Sequence, residues 1–372
     1  MKTSLLLIIF ISTFFCSCGQ SKSDTTKPIV NFDTLINRFK EYNYENDTIK
    51  LPLIYQSDYY KVILSDNPIF VNIVDTVLKN PFGNKYPLTY SLIYQDNLIA
   101  LFEPGNFVCY KIPSLERNID LERKLNTKKF SYQWIIGNSL VAQSYKQPYI
   151  LNADLQWETF NIKNPLKAQP KLFEDDTYIV FFDCHGEWGG TVYFFDKSTQ
   201  KTYFTEATCA NTITKRDGKY FVLSKLGHMN GSSDLKEIEN PEKLTIVDLS
   251  KTKNTFKGQA LGFTDSSKHA KVIFDYYGIQ FFSSFLFGDK MLYLIYWRQR
   301  TFLARIVDST ISIVNPLFND ELYTHQPVTT LYNKRTLINL DFYGIAEERE
   351  VSSLIVEGNK VTRIDWNEKH NR

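Results

Sequence analysis

Ser91–Leu101 reads SLIYQDNLIAL, two apolar runs about a two-residue polar turn at Asp96 and Asn97. Short β-prone runs flanking such a turn mark a β-hairpin. The unit recurs as QWIIGNSLVA from Gln133, KLFEDDTYIV from Lys171, ITKRDGKYFV from Ile213, FLFGDKMLYL from Phe285 and TLYNKRTLI from Thr330. Counted from Asp96, Gly137, Asp175, Asp217, Gly288 and Asn333, successive turns lie 41, 38, 42, 71 and 45 residues apart. Outer hairpins follow the inner ones: Val192–Phe204, Leu244–Asp248 and Ala304–Val314 each read strand, turn, strand.

A period of about 40–50 residues with several strands in each repeat is the pattern of a β-propeller blade. The expectation is an all-β chain: a propeller of six irregular four-stranded blades, with residues 50–80 the candidate for a seventh. The 71-residue gap predicts an insertion, and Val272–Gly278 inside it echoes Asn339–Gly344, the mark of a degenerate extra blade. The mature chain resembles propeller proteins in this loose way, without Trp-Asp blade ends or a kelch double glycine. Two stacked β-sandwich domains are the competing architecture. Closure into a ring removes free sheet edges and accounts for the lack of a visible linker. The composition agrees, since 28 Phe and 23 Tyr suit strands.

The first residues belong to export. Lys2 precedes an apolar run from Leu5 to Phe15, interrupted by Ser12 and Thr13 and too short to span a bilayer comfortably. Phe15-Cys16-Ser17-Cys18 then resembles the lipobox of bacterial lipoproteins, whose final cysteine is lipidated and becomes the mature N-terminus. The resemblance implies lipidation at Cys18, since small Ser17 precedes it, and placement in the cell envelope with a lipid anchor as the sole membrane attachment. Residues 1–17 read as the signal peptide, 18–30 as a polar tether and 31–49 as a short helical segment. Residues 50–372 read as the propeller-like domain. In the helical segment Phe32, Leu35, Ile36 and Phe39 fall on one face and Asn31 caps the first turn.

Forty-three basic and 41 acidic residues leave a net charge of +2, too balanced for a nucleic-acid surface. Beyond the signal only Cys109, Cys184 and Cys209 remain, an odd number without a disulfide framework. An oxidising compartment permits one bridge, with Cys184–Cys209 as a candidate pairing. No Cys-x-x-Cys, phosphate loop, dinucleotide fingerprint or nucleophile elbow occurs, so no cofactor is indicated apart from a divalent metal.

Reactive side chains are densest at Asp183-Cys184-His185-Gly186-Glu187-Trp188-Gly189-Gly190. In an extended strand Asp183, His185 and Glu187 point to one side, and Cys184, Gly186 and Trp188 to the other. A histidine between two carboxylates serves either as a metal ligand or as a general base oriented by an acid. His185, Glu187 and Asp183 are therefore the catalytic candidates, and His185 with His228 the metal candidates. Each carries a plainer reading: acids bonded to turn amides, and a histidine filling a polar loop. Cys184, flanked by acids, predicts a raised thiol pKa and no nucleophilic role. His185 lies ten residues past Asp175 and His228 eleven past Asp217, so a propeller projects both from equivalent places on adjacent blades. The same face receives Glu103, Lys146, Arg298, Arg300 and Asp341. Trp188, His228, Arg298 and Asp341 are the ligand-binding candidates. The leading reading is an envelope lipoprotein that binds a ligand or envelope protein through the loops at 183–190 and 225–233. A hydrolase or lyase using His185, and a scaffold subunit of an envelope complex, are the alternatives.

Overall fold

The structure is a computed structural model. It describes residues 53–79, 81–82, 87–145, 147–160, 169–247, 268–298, 300–318, 324–340 and 353–366. Cys18, the 31–39 segment, Lys146 and Asp341 lie outside these residues.

The described strands form six sheets. Blade 1 holds β4 (Leu92–Tyr94), β5 (Asn97–Phe102) and β6 (Asn106–Lys111). Blade 2 is β7 (Tyr132–Ile136), β8 (Ser139–Gln143), β9 (Pro148–Leu151) and β10 (Trp157–Thr159). Blade 3 is β11 (Lys171–Glu174), β12 (Tyr178–Cys184), β13 (Gly190–Asp196) and β14 (Thr202–Glu206), extended by β18 (Thr245–Ile246). Blade 4 is β15 (Ala210–Arg216), β16 (Lys219–Leu226), β17 (Ser232–Ile238) and β19 (Ala270–Tyr277). Blade 5 is β20 (Gln280–Phe287), β21 (Lys290–Trp297), β22 (Arg300–Val307) and β23 (Thr310–Phe318). Blade 6 is β24 (Val328–Tyr332), β25 (Arg335–Asn339), β26 (Ser353–Glu357) and β27 (Lys360–Asp365).

The hydrophobic core shows that these sheets close. It divides into six clusters, each centred on one pair of neighbouring blades. Phe107 of blade 1 packs with Leu140 and Trp157 of blade 2, and Trp134 of blade 2 with Phe181 and Tyr193 of blade 3. Phe194 of blade 3 meets Tyr220 and Val222 of blade 4, and Phe274 of blade 4 meets Phe281 and Tyr293 of blade 5. Phe285 of blade 5 packs with Ile338 and Leu354 of blade 6. Leu337 and Trp366 of blade 6 return to Leu98 and Phe102 of blade 1. Two sandwiches would bury one core each; six cores in cyclic order define a six-bladed β-propeller. Both faces of each blade are covered, which is why Asn97–Phe102 is buried throughout instead of alternating.

The six inner turns stand close to where their chemistry puts them. Gln95 and Asp96 carry φ of 46° and 55°, and Asp217 and Gly218 carry 51° and 76°. This is the left-handed pair a tight hairpin between twisted strands requires. The first of these turns is centred one residue earlier than Asp96 and Asn97, because Asn97 already belongs to β5.

Three expectations need correction. Residues 50–80 add no seventh blade. β1 (Leu53–Gln56) and β2 (Lys61–Leu64) join the outer edge of blade 5, and β3 (Asn72–Val77) joins that of blade 6. β2 and β3 pair parallel to β23 and β27, satisfying the outer hydrogen-bonding groups of both blades. Among the described residues the long gap holds no extra blade either. Val272–Tyr277 belongs to β19, the outer strand of blade 4, while Thr245–Ile246 crosses to blade 3.

Blade 1 is not four-stranded: helix α1 (Ile119–Leu125), unforeseen in the sequence, replaces its outer strand. Asn118 caps it, accepting from the Leu121 amide at 3.2 Å. The edge of β6 is then satisfied by side chains. Asn126 Oδ1 accepts from the Phe107 amide at 2.6 Å and Glu122 Oε1 from the Cys109 amide at 3.0 Å. Glu122 is held in turn by Arg117 at 2.7 Å.

Candidate functional site

Every blade runs inner strand, tight turn, second strand, loop, third strand. The loops after the second strands therefore leave one face of the ring, and the tight turns leave the other. Glu103, the segment 185–189, the segment 227–231 and Arg298 all lie on the loop face.

Asp183 follows the buried part of β12, which ends at Phe182. Its Oδ1 accepts from the Thr191 amide at 2.9 Å and its Oδ2 from the Tyr193 hydroxyl at 2.6 Å. His185 Nε2 stands 3.6 Å from Oδ1. Burial pushes the Asp183 carboxyl above the usual carboxylate range, opposed by Tyr193, His185 and Thr191. Burial, followed by the Asp183 charge, pushes the Tyr193 phenol up as well. Asp183 is thus engaged in bracing the hairpin, with the His185 ring beside it. Tyr193 was missed in the sequence, although its place follows from register: Thr191 is opposite Asp183, and Tyr193 is the diagonal same-face neighbour.

The strand alternation predicted for Asp183, His185 and Glu187 stops at Cys184. Gly186–Trp188 forms a 3-10 turn, with Gly186 and Gly189 at φ of 61° and 92°. Glu187 swings away from Asp183 and reaches the neighbouring blade, where its Oε2 lies 3.2 Å from His228 Nδ1. The predicted convergence of the two loops is therefore real, but it is made by an acid–histidine pair between blades. Among the described residues no group of three or more His, Cys, Asp or Glu side chains is arranged to hold a metal ion.

The base of the site is tightly built. Cys184 and Cys209 form a disulfide with Cα atoms 4.4 Å apart. Cys184 is therefore not a thiol, and the titration expected of it does not arise. The bridge ties the end of β12 to the connection leading into blade 4. A Cβ on Gly190 would sit 2.7 Å from the carbonyl oxygens of Ala207 and Asp183 and 2.8 Å from the Cys209 amide. Gly190 is required by this close backbone approach. Behind it Lys225 is fully buried, with Nζ 3.0 Å from Gln280 Oε1, bonded to the Thr324 carbonyl and 4.8 Å from the centre of the Phe282 ring.

Above this base three large side chains face solvent: Trp188 at 64% exposure, Met229 at 82% and Tyr277 at 61%. Met229 holds φ of 53° in a turn closed by the Gly231 amide on the His228 carbonyl at 3.0 Å. A non-glycine residue there is strained. Asn230 Nδ2 donates to the Tyr277 hydroxyl at 3.1 Å, joining the turn to the end of β19. The sequence singles out Trp188 and His228 but gives no sign that Met229 and Tyr277 are left uncovered. Arg298 belongs elsewhere: its guanidinium lies 5.0 Å from the Tyr55 ring and 5.1 Å from the Trp297 ring, on blade 5.

No protein-family model matches the chain, and no curated protein matches it in sequence. Among solved structures it is similar to the N-terminal domain of Nup159, at TM-score 0.34 and 12% identity over 79% of this chain and 86% of that one. It is also similar to BamB from Moraxella catarrhalis, at TM-score 0.33 and 10% identity over 68% of this chain and 70% of that one.

Proposed function

We propose that the chain is a cell-envelope lipoprotein, anchored through Cys18, whose propeller binds a protein partner through the loop-face mouth formed by residues 183–190 and 227–231 with Tyr277. The observation that carries this reading is the set of exposed Trp188, Met229 and Tyr277 around the Glu187–His228 pair. Tyr, Trp and Met are enriched where proteins meet, and large apolar side chains grouped in solvent mark such surfaces. The disulfide and the Gly190 contact hold the loops in place before binding, which lowers the ordering cost.

The experiment is photo-crosslinking in intact cells with the reactive residue at position 188, 229 or 277, and at Val272 on the exposed outer strand of blade 4 as reference. One common partner band at the three mouth positions and none at 272 is the expected result. Equal labelling at 272, or none at the mouth, would contradict the reading.

A further inference from the structure

The opposite face carries a second concavity. Where the inner hairpins of blades 4 to 6 meet Phe173 of blade 3, a cavity of ≈ 560 Å³ opens. Its size lies within the usual range for small-ligand sites. The inner strands behind it close the ring axis: β11 and β15 both touch β24, and β15 touches β20. It is a pocket on a packed floor.

Its lining includes Lys215, Arg216, Lys334 and Arg335 and contains no Asp or Glu. Two of the cations are compensated from outside it. Lys215 pairs with Asp175 at 2.7 Å. Arg335 pairs with Asp96 and, at 3.0 Å, with Glu357. The other two have no carboxylate partner among the described residues. The Arg216 guanidinium lies 4.3 Å from the centre of the Phe221 ring, and Lys334 is exposed. Two uncompensated positive charges in one concavity focus an attractive field for anions. The walls are also apolar where ligands can reach them: Leu286 is 58% exposed and Leu331 39%.

We propose that this turn-face pocket binds an organic anion, its phosphate or carboxylate head on Arg216 and Lys334 and its apolar body against Leu286 and Leu331. Arginine suits such a head because its planar fork offers paired donors. The site is independent of the loop-face mouth. The same chemistry is offered by a free organic phosphate and by an anionic lipid headgroup.

The test is calorimetric titration of the full chain in non-ionic detergent with phenyl phosphate and with inorganic phosphate, and detergent-free flotation of the full chain carrying Cys18→Ser, which removes the proposed lipid anchor, with phosphatidylglycerol or phosphatidylcholine vesicles. Phenyl phosphate should bind one to one, more tightly than inorganic phosphate. Arg216→Gln and Lys334→Gln should each weaken it by roughly tenfold, the scale of one charge-assisted contact, with unchanged melting. Trp188→Ala should leave it unaltered. Flotation with phosphatidylglycerol alone, lost in both variants and without phenyl phosphate binding, assigns the lipid source. Equal affinity for both phosphates, binding indifferent to both substitutions, or no binding of any probe would overturn the proposal.

Discussion

The two faces of the ring solve the problem of joining neighbouring blades in different ways. On the turn face, blades are pinned by charges. Glu174 of blade 3 accepts from the Gly137 amide of blade 2 at 3.0 and 2.9 Å, and Asp175 reaches Lys215 and the Tyr220 hydroxyl of blade 4, both at 2.7 Å. Asp96 of blade 1 pairs with Arg335 of blade 6. On the loop face, the junction of blades 3 and 4 includes backbone contact at Gly190, a disulfide, and one exposed acid–histidine contact. The loops above it keep their large side chains in water. Short turns tied by charged side chains join the blades, and the longer loops present their side chains to a partner.

The comparison breaks first at Glu174. Burial pushes its carboxyl up, but Lys171, Lys197 and the Gly137 amide outweigh this and hold it below the usual range. Lys171 lies 2.6 Å away and Lys197 2.7 Å away. Glu174→Gln leaves the buried Lys171 ammonium without its main partner and should cost about 3–4 kcal/mol in denaturant unfolding. A depressed carboxylate pKa contributes stability that is present above the unfolded value and lost as pH falls through the folded one. The acid-side loss of stability below about pH 4 should therefore be shallower in the variant. On the loop face, Gly190→Ala forces backbone apart at three contacts and should cost about 3 kcal/mol by the same measurement.

Asp234 sharpens the contrast from within blade 4. Burial pushes its carboxyl up to about 6, with Lys236 opposing and Asp275 and Glu206 adding to the rise. Asp275 faces it across the β17–β19 ladder. Here the folded state holds the proton more tightly, so stability falls as pH rises from about 4 to 6 and stays lower above. Asp234→Asn should raise stability by about 1–2 kcal/mol at pH 7.5 and leave it nearly unchanged at pH 4, as thermal melts at the two pH values would register. The smallest effect belongs to the mouth. Trp188→Ala and Met229→Ala should alter unfolding by less than about 0.5 kcal/mol while abolishing partner crosslinking.

Much of the ring is legible in the chain because tight hairpins need special backbone conformations. Asp-Gly at 217–218 and Gly-Asn at 137–138 announce themselves. The outer strands are less so. β2 and β3 pair with strands almost 250 to 290 residues away, and parallel pairing at that separation leaves no local pattern. Helix α1 shows only Leu121 and Leu125 as an apolar pair, too little to separate it from a strand and turn. At the site, the equivalence of positions 185 and 228 could be read from spacing. The reach of Glu187 across blades could not, because it depends on Gly186 and Gly189 breaking the strand alternation. The turn-face pocket was invisible for a related reason: its cations come from two turns more than a hundred residues apart, each unremarked alone.

The ring brings the 183–190 and 227–231 loops to one mouth, where Glu187 meets His228. The most direct measurement is bridging of Glu187→Cys/His228→Cys by a short bismaleimide in the folded protein, read by peptide mass spectrometry. Efficient intramolecular bridging, absent when the second cysteine is moved from position 228 to 272, is the predicted result. Failure to bridge 187 and 228 in protein that retains its native melting transition would contradict it.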